Sequence, residues 1–352
     1  MIWATITLIF LMILYTIICK DSSEEQNKKI YIIMCGITLV LFSAARTIHV
    51  DTDVYMYMIN YMSMGGKTYM QIWNSYLDGS IKDGGYYIIA KLCYDIGIPF
   101  RLFLTIIAAL YAYSVCSLIY RYSPKPYISI ALWFTLTWFM FSLSGLRQTI
   151  AMSLAILAFL QVKKKHVIKA YILIAISILI HTSAVAFAPF YFIDKLKIRK
   201  KTFAVLSVLS IFLPRIADSQ FRKLLSSFSW NSTVNQYLDT YTSINWTGFI
   251  IQLSILIFCY LAYDSVCERN PELRGVYALS TIGLLIQPFS QLVAEIFRVS
   301  MYYSIFTIVL VPNSLVAFQK KDRLIIEVAL IAVIFLYFWV SSQYSGYSVC
   351  WL

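Results

Sequence analysis

Apolar runs recur along the whole chain, at about 2–19, 30–46, 101–120, 127–143, 147–162, 167–181, 183–194, 202–214, 246–263, 275–294, 299–318 and 324–342. Runs of this length and polarity predict membrane-spanning helices. Short clusters of Lys and Arg separate them at 20–29, 121–126, 163–166, 195–201, 264–274 and 319–323. Such clusters mark the cytoplasmic side, so both termini lie outside and the chain crosses about twelve times. The first run has no basic stretch before it and no small-residue cleavage site, and Lys20, Lys28 and Lys29 follow it, which predicts a retained span. Two longer segments, 46–100 and 215–245, face outward. Within the first, GGYYIIAKLCYDIGIPF predicts a short amphipathic helix lying at the interface. The fold class is therefore all-α, a polytopic integral membrane helical bundle. With no internal repeat and no separate soluble domain, 1–352 reads as a single polytopic domain.

Composition agrees. Of 352 residues, 60% are hydrophobic and only 13% charged, which excludes an ordinary soluble domain. A net charge of +12 would point to nucleic acid in a soluble chain. Here the basic residues fall between apolar runs and carry topology, so no nucleic-acid partner is expected. The seven cysteines show no CxxC or Cys/His spacing, and neither a metal nor a cofactor is expected. The 27 Tyr and 8 Trp suit interfacial belts and, in part, contacts with sugar rings.

Depth picks out the unusual polar residues. Between Lys165 and Lys195 lie 29 residues, about 44 Å of helix. Two crossings of a core about 30 Å thick need more, so short or re-entrant helices are expected around His181. His181 then sits roughly 21–24 Å above the inner face, and Arg147 and Arg46 at similar height. Arg298 lies nearer the outer interface. Charged groups at such depth line a protein-walled or watery cavity and are functional suspects. Blander readings exist: Arg147 can snorkel to the headgroups, and His181 can be a helix–helix hydrogen-bonding residue.

Acidic candidates lie in the first outward segment. In VDTDVYMYMINY, Asp51 and Asp53 follow the end of a span, with Tyr55 next; Asp83 stands in KDGGYY, where Gly84 and Gly85 allow a turn or a close approach. An outward carboxylate can deprotonate or orient a sugar hydroxyl, and each is equally readable as a solvated loop residue. Arginine suits diphosphates, because its planar fork makes bidentate charge-assisted bonds. As a lipid diphosphate leaves an anomeric carbon it gains charge, and preorganised guanidinium groups stabilise that state. Arg147 and Arg298, with Arg46 in support, are the candidate diphosphate clamp. Gln148 is a further hydrogen-bonding candidate, and His181, Asp53 or Asp51 is the candidate general base. Tyr55 and Asp83 are candidate glycan contacts.

The stretches VDTDVYMYMINY, GLRQTIAMSLAILAFLQVKKK, ILIHTSAVAFAPFYF and FRVSMYYSIF together resemble the EpsG family, related to Wzy-type polymerases of O-antigen and exopolysaccharide. The resemblance implies a glycosyltransferase of the bacterial cytoplasmic membrane. It would polymerise undecaprenyl-diphosphate-linked repeat units on the outer face, without metal or nucleotide sugar. Its partners would be the lipid-linked donor and acceptor and the membrane lipids, with a chain-length regulator and a flippase as candidate neighbours. Asp51 or Asp53, Arg147, Gln148, His181 and Arg298 match polar positions of the family pattern. Where a Glu would be sought in the first large loop, this chain has Asp83. Three rivals share parts of the pattern: a flippase for the same oligosaccharides, a glycan ligase, and a polysaccharide O-acetyltransferase. The absence of paired half-sequence similarity counts against the flippase. An acetyltransferase would want a histidine reachable by a cytoplasmic acyl donor, and only His166 is placed for that.

Overall fold

The computed structural model describes residues 2–18, 25–48, 52–136, 138–228, 246–293 and 295–342. Among these the ordered elements are helical and there is no β-strand. Among the described residues, four helices are long and apolar enough to cross a membrane: Glu25–Ala44, Phe100–Tyr122, Leu146–Lys163 and Lys320–Val340. Two bent pairs, Thr247–Leu261 with Tyr263–Arg269 and Ile296–Ser304 with Thr307–Ala317, raise the number to six if each is one span. Twelve crossings are not established. Several of the remaining apolar runs are broken into shorter helices. The run 275–294 stops being α-helical at Ile286, before Gln287-Pro288 turns it into a 3₁₀ segment. The runs flanking His181 form Val167–Ile180 and the 3₁₀ turn Thr182–Phe187, so the chain does break at the histidine.

The helix Lys200–Phe228 passes through Pro214 and continues, so 215–228 is helical where an outward loop is expected from the sequence. The run of apolar residues stops near Pro214, but proline removes one backbone donor without forbidding the residues after it from staying helical. The rest of that expected loop, 229–245, lies outside the described residues.

By packing, the chain forms two compact units. The first comprises Met1–Tyr76, Ile81–Val185 and Gln319–Leu352, and the second Leu77–Ser80 and Ala186–Phe318. No boundary of this kind is visible in the sequence, because the first unit is discontinuous along the chain.

In the first unit, α1 (Ile2–Ile18) packs on α2 (Glu25–Ala44), and α2 on α6 (Phe100–Tyr122). Helix α9 (Leu146–Lys163) lies between α6 and α10 (Val167–Ile180). In lipid there is little water to exclude, so close backbone approach and hydrogen bonds drive helix association. Ala151, Ser153, Ala155 and Ala158 are buried on α9, and Ser177 Oγ of α10 donates to the Ala151 carbonyl at 3.0 Å.

The segment 46–100 is folded rather than loose. It forms α3 (Thr52–Met62), a 3₁₀ turn, α4 (Tyr69–Leu77) and α5 (Gly84–Asp95). The amphipathic sequence forms α5, as expected, and one of its faces packs against α10. Val54, Tyr61, Tyr86 and Ala90 share one core with Phe103 of α6 and Leu146 and Ile180 at the facing ends of α9 and α10. Two glycines set the spacing. A Cβ on Gly85 would come within 2.9 Å of the Leu179 carbonyl, and one on Gly84 within 2.6 Å of the Tyr76 ring. This close approach, anticipated from the Gly-Gly pair, brings the start of α5 against the end of α10.

Candidate functional site

Three chain ends meet there: the first turn of α9, the residue after α10 and the residue before α5. Arg147 is the second residue of α9. His181 ends α10 in an extended conformation, φ −153° and ψ 108°, which turns its side chain off the helix path. Asp83 precedes α5 at φ 59° and ψ 47°, left-handed backbone that Asp tolerates better than most residues. Strained backbone of this kind persists only where its surroundings hold it.

The Asp83 carboxylate is what holds the three together. Its Oδ2 accepts from Arg147 Nη1 at 2.9 Å and lies 3.1 Å from His181 Nδ1. Its Oδ1 accepts from the Thr182 backbone N–H at 2.9 Å and the Thr182 hydroxyl at 3.0 Å. Four donors fill the acceptor sites of a carboxylate. With its side chain only 5% exposed, burial by itself would raise the Asp83 pKa. The hydrogen bond and charge of His181, the charge of Arg147 and the Thr182 N–H outweigh burial and hold it at about 2. Asp83 is thus an anchored anion and no proton acceptor near neutral pH.

That assigns the histidine tautomer. An ionised carboxylate only accepts, so Nδ1 carries the hydrogen that points at Asp83, and in the neutral ring Nε2 keeps the lone pair. Arg147 is fixed on its other edge as well, donating from Nε to the Tyr57 hydroxyl at 3.2 Å. Its side chain is 29% exposed and that of His181 20%, so both retain an open edge. Tyr57 in turn packs edge-on to buried Tyr86, with ring centres 5.6 Å apart. Arg147 is therefore bound to protein groups on two edges.

Among the described residues of the first unit, the others singled out in the sequence lie away from the Asp83 carboxylate. Gln148 is buried on another face of α9, its Nε2 3.7 Å from Met152 Sδ. Arg46 is buried at the end of α2, donating to Ser43 Oγ at 3.1 Å, while its carbonyl accepts from Arg101. Asp53 and Tyr55 are exposed on α3. Asp53 stands one turn before Tyr57, whereas Tyr55 is two positions from it and so faces another way. Asp51 lies outside the described residues. Arg298 belongs to the second unit, in the helix Ile296–Ser304, with its guanidinium 5.8 Å from the Phe297 ring.

Sequence reasoning ranked Asp83 low and missed Thr182 and the contact of Tyr57 with Arg147. The Thr in IHTS was a usable signal, since a hydroxyl residue directly after a helix-ending histidine supplies both an N–H and an O–H to one acceptor.

A family model described as the EpsG family matches residues 28–352. No curated protein and no solved structure matches the chain.

Proposed function

Because the chain belongs to the EpsG family, a Wzy-type polymerase-like family, we propose that it transfers a growing glycan from a lipid-linked diphosphate to the end of a new lipid-linked repeat unit, at the outer face of the cytoplasmic membrane. The observation that carries this reading is the Asp83 carboxylate, which holds a guanidinium and an imidazole side by side at one end of a helix long and apolar enough to span a membrane.

The geometry supports the following division of labour. Arg147, locked by Asp83 and Tyr57, offers its remaining edge to the leaving diphosphate, whose charge grows as the anomeric bond breaks. His181 accepts the acceptor hydroxyl's proton at Nε2 while Asp83 holds Nδ1–H, so the proton has a destination as the new glycosidic bond forms. Asp83 positions both groups and touches neither substrate. Between the base candidates, His181 is favoured over Asp53 because His181 shares a partner with Arg147.

The test is gel analysis of surface glycan in a deletion strain complemented with wild type or Arg147→Ala, with membrane levels matched. The reading expects single repeat units in the deletion and the variant, and a ladder with wild type. Repeat units that accumulate facing the cytoplasm in the deletion would instead identify a flippase, and a full ladder from Arg147→Ala would remove the arginine from the reaction.

A further inference from the structure

Tyr57 is held against Arg147 by more than one contact. Its hydroxyl oxygen accepts from Arg147 Nε at 3.2 Å, and its ring centre lies 5.6 Å from the guanidinium carbon. The ring also meets buried Tyr86 edge-on, with centres 5.6 Å apart, and packs on the core shared by α3, α5 and α9. A guanidinium has donors and no acceptor, so the hydrogen on the Tyr57 oxygen points away from Arg147. No protein group among the described residues accepts that hydrogen. The side chain is half-buried, so the hydroxyl is not sealed in the core. A hydroxyl that accepts from a cation is polarised by it and becomes a stronger donor.

The direction of that donor follows from the shape of the guanidinium. Its Nε–H and one Nη2–H run parallel along one edge, the fork that takes both oxygens of an oxyanion. Tyr57 already occupies the Nε arm, while Nη2 has no protein hydrogen bond among the described residues. An oxygen that accepts on the Nη2 arm therefore lies beside the Tyr57 oxygen, within reach of an O–H···O⁻ bond of about 2.5–2.7 Å.

Resting on the reading of Arg147 given above, we propose that Tyr57 is a substrate-contacting residue, whose hydroxyl and Arg147 Nη2 together donate to one phosphate of the diphosphate. Tyr57 thus completes the arginine fork by passing its own hydrogen to the oxyanion. As negative charge grows on the leaving diphosphate, both bonds strengthen. The same pair of donors would suit the phosphate of a bulk anionic lipid, so the two sources must be separated.

The experiment is calorimetric titration of the full chain in phosphatidylcholine nanodiscs with farnesyl diphosphate, a short polyprenyl diphosphate. It uses wild type, Tyr57→Phe, Arg147→Gln, and a chain with 3-fluorotyrosine in place of Tyr57, at a pH where that phenol stays protonated. Tyr57→Phe keeps the ring and its packing, so binding should weaken about tenfold or more with the melting temperature nearly unchanged. Fluorine makes the phenol a better donor and a poorer acceptor, so the 3-fluorotyrosine chain should bind at least as tightly as wild type. Weakening by fluorotyrosine, in the same direction as Tyr57→Phe, would reduce Tyr57 to an acceptor that positions Arg147 and overturn the proposal. Equal binding by wild type and Tyr57→Phe, with Arg147→Gln defective, would overturn the role of Tyr57 and leave the reading of Arg147 standing. No binding by wild type would overturn the role of Tyr57 too, and a full glycan ladder from Arg147→Ala would take the reading of Arg147 with it. Repetition with phosphatidylglycerol in the disc identifies the source, because simple charge repulsion weakens wild type and Tyr57→Phe equally. A preserved ratio of their affinities supports a diphosphate site. A ratio that collapses to one assigns the two donors to lipid headgroups and overturns it.

Discussion

Each unit of the protein contains a polar cluster inside an otherwise apolar set of helices, and the two are built differently. In the second unit, Gln252 Nε2 donates to Gln287 Oε1 at 3.4 Å and Ser300 Oγ at 3.2 Å. Ser300 Oγ donates to the Gly283 carbonyl at 2.9 Å. All members are neutral, and they satisfy one another across Thr247–Leu261, Gln287–Gln291 and Ile296–Ser304. In the first unit, Asp83 is charged and saturated, but the groups it holds, Arg147 and His181, each keep an open edge. The amide cluster does what polar side chains commonly do between membrane helices, which is to join them. The Asp83 cluster uses an ion pair and a left-handed residue to hold two groups that each keep an open edge, the arrangement the proposed function draws on.

Substitutions can break this contrast. His181→Ala should reduce turnover on the order of 10²–10⁴-fold with membrane levels and melting temperature nearly unchanged, read in a reconstituted assay with lipid-linked repeat units. Asp83→Asn should also lose about 10²-fold, because its amide presents N–H groups to two donors. It should lower the melting temperature by several degrees as well, since a partly buried guanidinium loses its counter-charge. Gly85→Val should destabilise by about 1–3 kcal/mol, as its side chain meets the Leu179 carbonyl, and activity should fall with it because His181 is two residues on. Gln252→Leu should cost less than about 1 kcal/mol and leave turnover intact. Loss of activity in Gln252→Leu without loss of stability would make the second cluster a site as well.

Acid sharpens the contrast from another side. The Asp83 pKa, about 2 against an ordinary 3.8, is lowered on folding. Its carboxylate therefore adds stability that is complete above about pH 4 and lost as pH falls toward 2, on the order of 2 kcal/mol. Melting temperatures of wild type should drop through that interval, and those of Asp83→Asn should drop less.

The helices and the suspicion of Arg147 and His181 were legible because apolar length and the cost of a charge at depth are local properties of the sequence. The break at His181 followed from counting residues between basic clusters. The partner was not legible. Asp83 is 64 positions from Arg147 and 98 from His181, and only the packing of α5 on α10 through Gly85 brings them together. Arg46 and Gln148 matched Arg147 in depth or in sequence position, but depth leaves the facing direction open. A one-residue step turns a side chain about 100° around a helix, which is why Gln148 reaches Met152 while Arg147 reaches Asp83.

The claim that Asp83 acts by positioning is tested most directly by adding Asp83→Asn to the double variant Arg147→Ala with His181→Ala and measuring turnover. If Asp83 works through His181 and Arg147, the triple variant should be no more than a few-fold slower than the double variant. A further loss as large as that of Asp83→Asn in the wild type would mean that Asp83 acts independently of both, and would contradict the account.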